Sequence, residues 1–169
     1  MWLYIIAGIV VLVGFVAFTG APYVPSRRRD IQRLFRELLP LKKQDVVVDI
    51  GSGDGVVLRQ VSKLGARAVG YEIHPVLVLL SWLLSRGDRR VKVRLANFWR
   101  TPLPDDVTIV YTFGDDRDIT KMYNRVQSEA SRLSRDIIFI SYAFSVPGVE
   151  RYKSDKSYNL YKVQPLQES

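Results

Sequence analysis

An α/β fold, a mostly parallel sheet between covering helices, is predicted by three features of this sequence. Short apolar runs and amphipathic stretches take turns between residues 45 and 142. A glycine-rich turn separates the first such run from the first such stretch. Beyond residue 147 the pattern changes to two strand-like segments about a Ser-Asp-Lys-Ser turn. Alternation of strand and helix favours parallel pairing, because each crossover lays a helix on a sheet face. The tail reads instead as an antiparallel hairpin closing one sheet edge.

The elements follow in order. "SRRRDIQRLFRELLPL" places Ile31, Leu34, Phe35, Leu38 and Leu39 on one helical face, and Pro40 ends the helix. "DVVVDI" (45–50) has the look of a strand buried on both faces. A helix over 56–65 leads to a strand over 66–72, and a helix over 75–87 to a strand over 91–96. After a Pro-rich loop come a strand at 107–113, a helix at 118–133 and a strand at 136–142. His74-Pro75 marks a helix start, with Pro in the first turn. "VLVLLSWLLS" (76–85) is apolar around nearly its whole circumference. Such a helix is either buried deep in the domain or laid against a membrane or a partner.

With 169 residues the chain has room for one domain and a short appendage. It has no cysteine, which excludes disulfides, thiolate metal sites and cysteine nucleophiles. The net charge of +8 is uneven: seven basic residues against Asp30 and Glu37 between Arg27 and Lys43, but 18 basic against 15 acidic over 44–169. That modest domain charge makes nucleic acid an unlikely partner. Residues 2–23 carry no charged side chain, and at 1.5 Å per residue they reach about 33 Å, the thickness of a bilayer core. The sequence therefore predicts a transmembrane anchor at 1–23, a basic juxtamembrane helix at 24–44 and a cofactor-binding domain at 45–165. Arg27 to Arg29 put the domain on the cytoplasmic face of a single-pass membrane protein.

The chemistry concentrates in "VVVDIGSGDGVVL". Gly51, Gly53 and Gly55 follow a strand and open a helix, where missing Cβ atoms let backbone N–H groups approach a ligand. The dinucleotide fingerprint needs a third glycine at position 56, which is Val56 here. Glu72 ends the next strand, where a carboxylate can accept ribose hydroxyls. With Asp49 before the loop, the spacing is that of an S-adenosyl-L-methionine site.

On these residues the sequence resembles class I methyltransferases, whose Rossmann-like sheet is mostly parallel with a C-terminal antiparallel hairpin. The resemblance implies that Asp49, Gly51, Ser52, Gly53, Asp54 and Gly55 hold the methionine end. Glu72, with Ile73 beside it, would meet the ribose, and Asn97 with Phe98 the adenine. Read without the resemblance, Asn97 has a turn residue as its alternative, since Asn is common in turns.

A closer resemblance runs over residues 21–164: "PYVPS", "DIGSGDG", "NFW", "ISYAFSVPG" and "SYNLYKV" stand in that order. It is to the small protein-lysine methyltransferases, which include a broad-specificity archaeal enzyme and membrane-anchored mitochondrial enzymes for the adenine nucleotide translocase and for the c-ring protein of ATP synthase. The likeness implies a membrane or membrane-proximal protein as substrate and puts Tyr23, Tyr142 and Phe144 at the acceptor slot. In a eukaryote it implies the mitochondrial inner membrane. The chain departs from the set where Tyr142 and Ala143 replace a histidine and an acid before Phe144, and where Val149 replaces an aromatic.

Transfer from a sulfonium is an in-line displacement that needs alignment and exclusion of water more than a base. Tyr23, Phe98, Trp99, Tyr111, Phe113 and Tyr142 are candidate walls for an amine slot, with core packing as the alternative for each. Asp115, Asp116 and Asp118 precede a helix and read as caps, and no metal site is expected. Two other functions remain open: transfer to RNA or a small molecule, and a silent methyltransferase fold serving as a membrane scaffold.

Overall fold

The computed structural model describes residue 2, residues 28–114 and residues 116–166. The anchor expected at 1–23 lies, but for Trp2, outside the described residues, as do Tyr23 and Asp115. Among the described residues no helix is long and apolar enough to cross a membrane.

From residue 28 onward the described residues open with α1 (Arg28–Arg33), which passes into a π-helical turn, Leu34–Leu38. There the Leu39 N–H reaches back five residues to the Leu34 carbonyl, 2.8 Å away. The expected apolar face is realised by Ile31, Leu34 and Phe35, all buried, while Leu38 and Leu39 at the widened end are half-buried. Then come β1 (Val46–Ile50), α2 (Val56–Lys63), β2 (Arg67–Glu72), α3 (Pro75–Leu84) and β3 (Val91–Leu95). The second half holds β4 (Ile109–Thr112), α4 (Ile119–Leu133), β5 (Ile137–Tyr142), β6 (Lys153–Ser154) and β7 (Tyr158–Val163).

The seven strands lie in the order β3-β2-β1-β4-β5-β7-β6. The first five are parallel, and β7 returns antiparallel to both β5 and β6, so the expected hairpin does close one edge. Every residue of β1 and β4 is buried, which is why their sequences are continuous apolar runs. Ile119, Val126 and Ala130 of α4 pack one sheet face with Val110, Phe139 and Tyr161. Ile31, Leu34 and Phe35 join Val57, Leu58 and Val61 of α2 on Val47, Ala68 and Ile140 at the other. This is the helix–sheet–helix layering of a Rossmann-like methyltransferase fold.

Strand order reverses between β1 and β4, and in open parallel sheets ligands bind beyond the strand ends at that point. The helix expected over 75–87 stops at Leu84, and Gly87 turns the chain at φ +87°. Its packing answers the question the sequence left open: α3 is not deeply buried, since Ser81 is its only buried residue.

Candidate active site

In strand register, Tyr71, Ile50, Thr112, Ser141 and Asn159 form one row across β2, β1, β4, β5 and β7. One step toward the ligand edge stand Glu72, Gly51, Phe113, Tyr142 and Tyr158. The first two belong to a polar cradle and the last three to an aromatic wall.

The cradle is made largely of backbone. Gly51, Gly53 and Gly55 have φ of +70°, +54° and +79°, a region that L side chains enter at a cost of roughly 1–2 kcal/mol. Gly51 and Ser52 both donate to the Tyr71 carbonyl, at 2.8 and 3.2 Å, which ties the loop to the end of β2. A Cβ on Gly51 would meet nothing within 4 Å, so the loop faces open space there. Glu72 is 5% exposed and accepts the Gly53 N–H on Oε2 and the His74 N–H on Oε1, both at 2.9 Å. Each carboxylate oxygen keeps a further lone pair for a ligand hydroxyl, while the backbone fixes its aim.

Asp49 is buried at the end of β1. Burial, and then the negative charges of Glu72 and Asp54, push its carboxyl well above the usual carboxylate range. Such a group favours a cationic ligand, which offsets the repulsion. Arg59 braces the loop by donating to the Asp54 carbonyl at 2.5 Å and pairing with its carboxylate at 3.3 Å.

Ile73 is 59% exposed just past β2. Asn97 is also exposed, with Oδ1 accepting the Trp99 N–H at 2.9 Å and its carbonyl accepting from Arg100 and Thr101. It shapes a turn, as its residue type alone suggested. Phe98 is buried in the core, with the exposed Trp99 ring 5.2 Å away.

The wall comes from three strands. Phe113 and Tyr142 stack with ring centres 4.6 Å apart and planes at 20°. Tyr158 meets Tyr142 edge-on at 5.2 Å and lies 6.3 Å from Tyr111. Burial, with the negative charge of Asp30 next, raises the Tyr158 hydroxyl far above an ordinary tyrosine, so it stays protonated. Between Tyr142 and Phe144 the Phe144 N–H bonds the Tyr142 carbonyl at 2.8 Å, and Ala143 sits at φ +65°. This is a γ-turn of the strained kind, at the position where the chain departs from the set it resembles. Phe144 packs half-buried against the α4 side of the core. Asp118 occupies the N-cap of α4 but makes no cap bond; its carboxylate turns to Lys121 at 3.3 Å, contrary to the capping expectation.

Sequence reasoning missed three contributors. Gly70 on β2 leaves room for Ser52 and Leu58, both of which a Cβ there would strike. Tyr158 was visible only as part of "SYNLYKV", because its place beside Tyr142 depends on strand register. Arg33 pairs with Asp155 at 2.5 Å, and Asp155 in turn accepts the Ser157 and Tyr158 N–H groups. With Lys153 donating to the Leu38 carbonyl, that pair fastens α1 to the hairpin behind the wall.

Comparison with known proteins agrees with this geometry. The family described as the ANTKMT methyltransferase domain matches residues 49–153, from the cradle acid to β6. The ATP synthase c-subunit lysine N-methyltransferase of Xenopus laevis is 28% identical over 119 residues, 69% of this chain and 51% of that protein. Its counterpart of the same name from Rattus norvegicus is 40% identical over 60 residues, 36% of this chain and 27% of that one. The chain thus spans about half, or less, of the length of these relatives. An RNA methyltransferase from Salinibacter ruber, solved with S-adenosyl-L-homocysteine, superimposes with a TM-score of 0.76 at 22% identity, over 86% of this chain and 97% of that one. At that identity the likeness concerns the fold. The cofactor is S-adenosyl-L-methionine, and the cradle fits it: a glycine loop with open space at Gly51, lone pairs on Glu72 for ribose hydroxyls, and a buried Asp49 beside two other carboxylates for a cation.

Proposed function

The chain belongs to the family of the ANTKMT methyltransferase domain, and from that premise we propose that it methylates lysine side chains of a membrane or membrane-proximal protein. When bound, the donor supplies a methyl group on a positively charged sulfur. The residues of the chain divide the remaining work. Asp49 and the Gly51–Gly55 loop hold the amino-acid end of the donor, and Glu72 grips the ribose. The Phe113–Tyr142 stack, one strand over, walls the slot in which the lysine lies. Desolvation against such rings lowers the lysine pKa and favours the neutral amine that attacks. Alignment and exclusion of water then carry the step, so the loss of a histidine and an acid before Phe144 is tolerable.

The observation that carries this reading is the adjacency of the carboxylate-and-glycine cradle and the aromatic stack, at neighbouring strand ends. The substrate for which the relatives are named, a component of a membrane enzyme, supports a membrane acceptor. So does the uncharged run at 2–23, read as a single-pass anchor that holds the domain at the cytoplasmic face or, in a eukaryote, at the inner mitochondrial membrane. Tyr23 lies five residues before α1, a reach of at most about 18 Å, and α1 is fastened behind the wall. In this reading Tyr23 covers the slot.

The test is incubation of the full chain with methyl-labelled donor and native membranes, followed by mass spectrometry. Label on lysine, lost with Tyr142→Ala, is the expected result. Label confined to RNA or lipid contradicts the proposal.

A further inference from the structure

Helix α3 is packed inside out. Its one buried residue, Ser81, sits against Gly55, where any side chain on that glycine would collide with it. Leu79, Trp82, Leu83 and Leu84 are each at least 50% exposed, and Leu80 is 41% exposed. At 100° per residue, Leu79, Leu80 and Leu83 fall within about a third of the helix circumference. An open apolar face of this kind marks a contact surface.

Charge identifies what it contacts. Between residues 86 and 100 stand Arg86, Arg89, Arg90, Lys92, Arg94 and Arg100, against Asp88 alone. Asp88 is already engaged by the Ser62 hydroxyl at 2.6 Å and the Arg90 N–H at 3.0 Å. Arg94 turns onto the Tyr71 ring, 6.0 Å from its centre, and the other five cations are exposed. This segment holds a net +5 where residues 44–169 hold only +3, so the rest of the domain is slightly acidic. An uncharged apolar helix followed by a cationic rim is the make-up of a surface that lies in an anionic bilayer interface. With ten residues α3 is too short to span one.

We propose that α3 docks the domain on an anionic membrane surface, with Leu79, Leu80, Leu83 and Trp82 entering the headgroup boundary and Arg86, Arg89 and Arg90 at lipid phosphates. A second copy fits poorly, because it would set one cationic rim against another. The uncharged run at 2–23 offers nothing to that rim. Because α3 starts directly after Glu72 and His74, the docked face adjoins the donor cradle and holds the slot close to the bilayer. The proposal does not depend on the identity of the methyl acceptor, nor on residues 1–23 spanning the membrane.

The chain has no cysteine, so single-site labelling is clean. Full-length Leu83→Cys carrying a nitroxide is compared with Ser128→Cys on the exposed side of α4, by power-saturation spectroscopy with oxygen and a water-soluble nickel chelate. In equimolar phosphatidylcholine–phosphatidylglycerol vesicles, position 83 should be several-fold richer in oxygen relative to nickel than position 128. Replacing Arg86, Arg89 and Arg90 with Gln should reduce that difference. Three results overturn the proposal: a water-like label at 83, shielding of 83 from both reagents, which means protein covers it, and equal lipid exposure in phosphatidylcholine alone.

Discussion

The polar cradle and the aromatic wall sit at adjacent strand ends but are built from different material. The cradle is one local loop and two carboxylates, and its contacts run through backbone N–H and carbonyl groups. The wall is side chains only, delivered by β5, β7 and the residue just past β4, and brought together by register. A backbone site tolerates little change, because glycines and one carboxylate each serve a fixed geometry. A side-chain wall can be rebuilt while the fold stays the same. The departures at Tyr142 and Ala143 lie on the wall, and the cradle keeps its full pattern.

That contrast can be broken experimentally, most severely at Glu72. Glu72→Ala removes the acceptor of the Gly53 and His74 N–H groups and, in the proposed function, of the ribose hydroxyls. At about 1.5 kcal/mol or more for each bond to a charged group, donor affinity should fall at least ~100-fold by calorimetry. Gly70→Ala tests the packing beneath the loop. The new methyl group strikes Ser52 and Leu58, and the expected cost is about 1–3 kcal/mol, read as a lowered Tm and denaturation midpoint.

Asp49 predicts a pH dependence. Its native pKa is raised, so above the ordinary carboxylate range the unfolded chain ionises while the folded one keeps its proton. Stability therefore falls as pH rises through that window and levels off above the native pKa. A cationic donor favours the ionised form, so donor affinity should rise with pH across the same window. Asp49→Asn should flatten both trends in calorimetric titrations. The smallest effect is expected at Ala143→Gly, which relieves a positive φ and should stabilise the fold by about 1 kcal/mol in chemical denaturation.

The sequence carried what is local. The β1–loop–α2 unit, the start of α3 at His74-Pro75 and the closing hairpin follow from runs of a few residues, and each stands where expected. What depends on distant contacts was hidden. Apolar periodicity is silent for a helix that is apolar all round, so neither the outward face of α3 nor the Ser81–Gly55 contact could be read. Tyr158 needed the β5–β7 register, and the left-handed Ala143 has no residue signature, since alanine normally avoids that region. The carboxylate of Asp118 had Lys121 within reach as an alternative to the cap, and the pair formed instead.

The central claim, that cradle and wall divide donor binding from transfer, is tested most directly by Tyr142→Ala in the full chain, measuring donor Kd and methyl-transfer rate on the same preparation. Loss of the stacked ring leaves the amine misaligned, and a misplacement of this order costs roughly 100-fold in rate. That loss is expected with donor Kd unchanged. A donor Kd weakened in proportion to the rate, or a rate equal to the unmutated chain's, would contradict it.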